Sequence, residues 1–115
     1  MKGLLAGYLP RDHAFAPADG RAKYPMFQGS EWQRNQDFLD DLRGIAKKIG
    51  RTVAQVVVNW TIHQTGITAA LCGAKRAFQI QETAGAMDWQ LDAEHVAQID
   101  AALARRGVPI VKSAI

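Results

Sequence analysis

Cysteine is nearly missing: Cys72 is the one thiol in 115 residues. A single cysteine excludes an internal disulfide and fits a reducing compartment. Long apolar runs are missing too, and nothing approaches the roughly 20 consecutive residues that would span a bilayer. The opening Met1-Lys2-Gly3-Leu4-Leu5-Ala6-Gly7 has too few apolar residues ahead of Pro10 and Arg11 to read as a secretory leader. The expectation is a cytoplasmic protein without a membrane partner. His13, His63 and His95 share no metal-ligand or triad spacing and read as surface or packing residues. A strong charge of one sign is also lacking. The net charge of +3 is compatible with an anionic ligand, but without a recognisable motif it does not argue for nucleic acid. What is present is ordinary globular composition. With 48% hydrophobic and 22% charged residues, wholesale disorder is excluded, and 115 residues allow one domain at most.

Residues 1–29 read as loop, because Gly3, Gly7, Pro10, Pro17, Gly20, Pro25 and Gly29 break every period. Gly3-Leu4-Leu5-Ala6 alone looks strand-like. Ser30 and Gln33 have capping-box spacing, and Phe38, Leu42, Ile45 and Ile49 then recur at helical intervals until Gly50. Thr52 and Gln55 form a second capping box, opening a helix rich in Val53, Val56, Val57 and Trp60. That many β-branched residues make tertiary burial its main support. The glycine-flanked run Ile67-Thr68-Ala69-Ala70-Leu71-Cys72 reads as a buried strand, with Cys72 an inert buried thiol. A third helix is expected from about Arg76 to Ala86. Asp92 caps a fourth, with Val96, Ile99 and Leu103 on one face and Arg105-Arg106-Gly107 at its end. Val108 to Ile115 read as an extended tail, and Trp32, Trp60 and Trp89 as core or interface aromatics. A lone buried strand needs neighbours for its backbone groups, so they come from a second copy or from a larger sheet or barrel.

The segment from Gly73 to Thr83 has its own chemical logic. Gly73 permits close approach of the backbone to a ligand and a sharp turn off the strand. Lys75 and Arg76 stand at the mouth of a helix whose unpaired amides and dipole favour an anion, and a ribose 2′-phosphate suits such a place. Gln79 and Glu82 follow on the same helical face. Taken alone, a Lys-Arg pair at a helix start is more often a solvated surface feature.

Four stretches in register resemble the aldo-keto reductase family. Gly3-Leu4-Leu5-Ala6-Gly7 resembles the piece after the seventh barrel strand. Ala46-Lys47-Lys48-Ile49-Gly50-Arg51-Thr52-Val53-Ala54-Gln55-Val56 is similar to a family helix-turn-helix. Leu71 to Thr83 resembles the family's cofactor signature, and Asp88-Trp89-Gln90-Leu91 fits ahead of the last helix. The similarity covers residues 2–106 and is greatest to the branch of bacterial general reductases and potassium-channel β subunits. It implies an α/β fold: the C-terminal part of a (β/α)8 barrel. Locally this portion is mostly helical, with about four helices and one or two short strands. Residues 1–29 would form a cofactor-side loop, and residues 30–115 the helices and last barrel strand. It also implies NADP(H) as cofactor and an aldehyde or ketone as substrate. Gly73, Lys75, Arg76, Gln79, Glu82 and Thr83 would hold the adenosine end, and Arg21 would clamp the pyrophosphate.

Two departures stand out: Thr83 replaces the family asparagine beside Glu82, and Tyr8 stands where lysine is common. No motif here matches the family's catalytic Asp, Tyr, Lys and His. The aromatic platform for the nicotinamide would fall just before Met1. The expectation is a portion of an oxidoreductase, inactive by itself, that self-associates or meets a missing barrel half, with the segment from Leu9 to Gly29 poorly ordered. The alternative is a free-standing remnant that binds a nucleotide or a protein.

Overall fold

The computed structural model describes residues 2–110. Its frame is a 21-residue helix, α1 (Gly29–Ile49), formed where Phe38, Leu39, Leu42, Ile45 and Ala46 recur on one buried face. The helix stops at Gly50, which takes the left-handed conformation (φ 69°) and returns its amide to Ala46 O. Helix α2 (Val53–Ile62) follows at once, helix α3 is Ala77–Ala84, and helix α4 is Ala93–Arg106. Helix α1 packs on α4 and α2, and α2 packs on α3. The shared core joins Leu39 and Leu42 to Val56, Leu91 and Ile99. Burying each of these side chains is worth about 1.5–3 kcal/mol.

Two of the expected caps form. Thr52 and Gln55 bond reciprocally at the start of α2, and Asp92 accepts the His95 amide at the start of α4. The box expected at Ser30 does not form. Helix α1 starts at Gly29 without a side-chain cap, and Gln33 instead accepts from Arg11 (2.7 Å).

The strands are the main correction. Among the described residues there is no strand. Leu4–Ala6 is a 3-10 turn between Gly3 (φ 83°) and Gly7 (φ 81°), both left-handed. A Cβ on Gly7 would lie 2.8 Å from Val53 Cβ, so this turn and α2 meet only because residue 7 is glycine. The expected strand Ile67–Cys72 has no regular structure. Leu71 is fully exposed, and Cys72 is exposed rather than buried. The reason is that a strand exists only as part of a ladder, and no described residue offers it a partner.

Residues 8–28 are irregular but packed. Further 3-10 turns at Gly20–Lys23 and Pro25–Phe27 lead into α1. Phe15, Phe27 and Trp32 meet edge-on or tilted, with ring centroids 5.1 to 6.4 Å apart. Side chains of α1 hold the backbone of this segment. Trp32 Nε1 donates to Arg11 O, Asn35 Nδ2 to Met26 O, and Gln36 Nε2 to Leu9 O. Arg43 donates to Gly7 O and Leu9 O.

Two further polar side chains fix the helical layers. Asn59 of α2 is fully buried, donates to Ala86 O and Trp89 O, and accepts the Leu91 amide. It thereby shapes the link from α3 to α4. Arg106 closes the other end. Its guanidinium reaches Glu31 at 2.6 Å and Asn35 at 2.8 Å, with the pair's side chains only 7% and 5% exposed. Ile110 N also donates to Glu31, which fixes the start of the tail; residues 111–115 of the expected tail, and Met1, lie outside the described residues.

Two predictions follow from these buried groups. Asn59→Ala strands one amide and two carbonyls in the interior and should cost about 2–4 kcal/mol in urea unfolding. An unchanged midpoint would show that the α3–α4 link does not need Asn59. The Glu31 carboxyl is held below its usual range, first by Arg106 and then by the Ile110 amide. A carboxylate with a depressed folded pKa stabilises fully above its unfolded value, about 4.3, and that stability is lost as pH falls through the folded value. Glu31→Gln should therefore lower stability at neutral pH and make it less sensitive to acid below about pH 4; parallel pH profiles for both proteins would contradict this.

Candidate nucleotide-binding site

The candidate site is built around the start of α3. Residues 67–76 cross from α2 over the surface, and Lys75 and Arg76 emerge exposed ahead of the helix. Neither side chain forms an ion pair or hydrogen bond with another described residue. Gln79 explains the local geometry. Its Oε1 accepts the amides of Lys75 (2.7 Å) and Arg76 (3.1 Å), the reach-back that the N3 glutamine or glutamate makes in a capping box. The cap pins the two basic residues at the positive end of the helix dipole. Gly73 does not turn through the left-handed region, and a Cβ there would meet open space. The glycine is therefore not required by contacts among the described residues.

Glu82 is held at two points. Its carbonyl accepts from Gln55 Nε2 (3.0 Å), the same side chain whose Oε1 caps α2. Its carboxylate accepts the Tyr8 hydroxyl at 2.5 Å, a contact that ties the N-terminal segment to α3. Tyr8 is pushed up to about 12, first because its proton is bonded to Glu82 and then by desolvation. Thr83 turns inward along its own helix, donating to Gln79 O (3.0 Å). Its oxygen lone pairs remain for a ligand, but its proton is used.

Arg21 is arranged differently. Its Nε and Nη2 grip Asp19, the closer contact being 2.6 Å, and its guanidinium lies 5.2 Å from the Phe15 ring centroid. Asp19 is driven down to about 2 by this pairing. Arg21 lines an open depression of about 380 Å³ with Lys2, Lys23 and Tyr24. No described hydrogen bond or ion pair joins it to the α3 residues. The residues from Gly73 to Thr83 thus form one continuous stretch, with Arg21 outside it. The sequence reading missed the second bond of Gln55 and the Asp19 counter-ion. Gln55 is visible in the sequence only as a cap, and nothing local marks Asp19 as the partner of Arg21. Among the described residues no group of His, Cys, Asp and Glu could hold a metal, and no helix is long and apolar enough to cross a membrane.

Known proteins match this chain over most of its length. Residues 1–104 match the model of the aldo/keto reductase family. The chain is 28% identical over 103 residues to aldo-keto reductase YhdN of Bacillus subtilis, covering 89% of this chain and 31% of that protein. It is 29% identical over 98 residues to aldo-keto reductase str7 of Strobilurus tenacellus, covering 85% of this chain and 29% of that protein. Among solved structures, the glycerol dehydrogenase AKR11B4 from Gluconobacter oxydans superposes with a TM-score of 0.82 at 30% identity, over 99% of this chain and 35% of its own. The chain belongs to the aldo/keto reductase family, a family of oxidoreductases, and spans about a third of the length of these relatives.

The Tyr8–Glu82 contact is directly measurable. With Tyr24→Phe as background, Tyr8 is the remaining tyrosine, and its ultraviolet titration should fall near 12. Adding Glu82→Ala should bring it back toward about 10. A midpoint near 10 before Glu82 is replaced would show that the hydroxyl is not bonded there.

Proposed function

We propose that this chain is the C-terminal portion of an NADP(H)-dependent aldo-keto reductase barrel and supplies the grip on the adenosine-phosphate end of the cofactor. The single observation that carries the reading is the pair Lys75 and Arg76, exposed, without side-chain partners among the described residues, and fixed at the start of α3 by the Gln79 cap. Two cations at a positive helix end suit a phosphate that carries close to two negative charges. Gln79, Glu82 and Thr83 continue the motif that resembles the family's cofactor signature. In this reading the segment Ile67–Cys72, here without a ladder, is the last barrel strand, and its open edge and the exposed Leu71 meet the remaining barrel or a second copy.

The chemical fit to a 2′-phosphorylated adenosine is good at α3 and poor at Arg21. The fork of Arg21 already holds Asp19, so a pyrophosphate would have to share it or displace that carboxylate. The bound cofactor supplies hydride to an aldehyde or ketone, and the protein aims it. This chain's own part is to bind and orient the adenosine end. The proton donor and the platform for the nicotinamide match no motif in its sequence, and we assign them to barrel elements outside it.

The test is preference for the 2′-phosphate. The chain should bind adenosine 2′,5′-bisphosphate more tightly than adenosine 5′-phosphate by about tenfold to a hundredfold, the effect of one charge-assisted contact worth about 1.5–3 kcal/mol. Replacing Lys75 and Arg76 together by alanine should remove most of that preference while leaving binding of the 5′-phosphate nearly unchanged. Equal affinity of the unmodified chain for both nucleotides, by calorimetry, would overturn the assignment.

A further inference from the structure

Glu82 is placed with unusual care for a half-exposed glutamate. Its carbonyl is fixed by Gln55, whose other end is tied to the Thr52 amide at the start of α2. Gly85 leaves room for the Gln55 side chain, which is the group a Cβ there would strike. The carboxylate is then held by Tyr8, a residue 74 positions away that comes from the N-terminal segment. The carbonyls on either side of Tyr8 are also occupied: Arg43 donates to Gly7 O and Leu9 O, and Gln36 to Leu9 O. The backbone that carries Tyr8 is therefore tied to α1. Yet the tyrosine itself is 63% exposed, so its ring contributes little to the core. Tyr8 thus holds the carboxylate itself, while α2 fixes the Glu82 backbone and α1 the backbone on either side of Tyr8.

We propose that Tyr8 is a positioning residue for nucleotide recognition. By donating to Oε1 of Glu82 it fixes the carboxylate and leaves the second oxygen to accept from an adenosine hydroxyl or amine. The inference rests on the reading of α3 as a nucleotide site and assigns a role to a residue outside that helix. The physical advantage is preorganisation. A free glutamate must give up rotamer freedom when it accepts a ligand, whereas one already held has little more to lose. The hydroxyl also restricts what Glu82 can recognise. With one oxygen occupied, the carboxylate is a single-point acceptor for a neutral donor. An anionic group gains nothing from Tyr8, because its contacts lie at Lys75 and Arg76.

The experiment uses the full 115-residue chain and two probes, adenosine 2′,5′-bisphosphate and inorganic pyrophosphate, with affinities measured by calorimetry. Tyr8→Phe should weaken the nucleotide about threefold to tenfold, the effect of one modest hydrogen bond. Pyrophosphate affinity should not change. In a Glu82→Gln background, Tyr8→Phe should have a much smaller effect, since Tyr8 acts through the carboxylate. Nucleotide affinity unchanged by Tyr8→Phe in an otherwise native chain would overturn the role. So would an equal loss for both probes, which would mean that the substitution merely loosens the fold. If the unmodified chain binds pyrophosphate but shows no gain for the nucleotide, the reading of α3 fails and the role of Tyr8 falls with it.

Discussion

The hydrogen bonds that α1 sends to the N-terminal segment are the constraint on which the rest of the structure depends. A stretch of irregular backbone cannot satisfy its own carbonyls, and burying them unpaired would cost a large share of the stability of a small domain. Trp32, Asn35, Gln36 and Arg43 supply the donors, reaching Arg11, Met26, Leu9 and Gly7. Asn35 and Gln36 are nearly or fully buried, so α1 has a polar stripe inside its packed surface as well as an apolar one. The apolar stripe makes the core with α4 and α2, and the polar stripe gives residues 7–28 a fixed course.

That course positions the site. Gly7 lets the first turn lie against Val53, and Tyr8 then points to Glu82. Gln55 and Asn59, both on α2, hold the C-terminal half of α3 and the link beyond it. Helix α3 has no buried residue of its own. It stays in place through hydrogen bonds from neighbouring elements and its packing on α2, which leaves its first turn free to face a ligand. A helix with so little core of its own is also the element whose placement should respond most when those bonds are removed.

The sequence made the helices legible because their signals are local. The stripe Phe38-Leu42-Ile45-Ile49, the Thr52–Gln55 box and the Asp92 cap each lie within one element, and all three appear in the structure. The family was legible for a different reason: four motifs stood in register, and each of them encodes local geometry. Two kinds of feature could not be read. The run Ile67–Cys72 reads as a buried strand but has no regular structure, because its apolar composition says nothing about whether ladder partners are present. The long-range polar bonds were invisible because Asn35, Gln36, Asn59 and Arg106 look like ordinary helix residues until the fold turns them inward. Arg106 read as a favourable charge at a helix end, whereas it is the buried partner of Glu31. At the candidate site, spacing gave the run from Gly73 to Thr83 but not the Gln79 cap on the two basic residues, nor the Asp19 that occupies Arg21.

A chain about a third the length of its relatives thus holds the start and end of α3 in shape with its own side chains. The central claim is that the start of α3 is where the phosphate of an adenosine nucleotide docks. The most direct measurement is a nuclear magnetic resonance titration of the isotope-labelled chain with adenosine 2′,5′-bisphosphate, following every backbone amide. The expected result is a set of saturable shifts concentrated at residues 73–83 and at Tyr8, with α1 and α4 unperturbed. Shifts confined to the surface between α1 and α4, or none at residues 73–83 at saturating nucleotide, would contradict it.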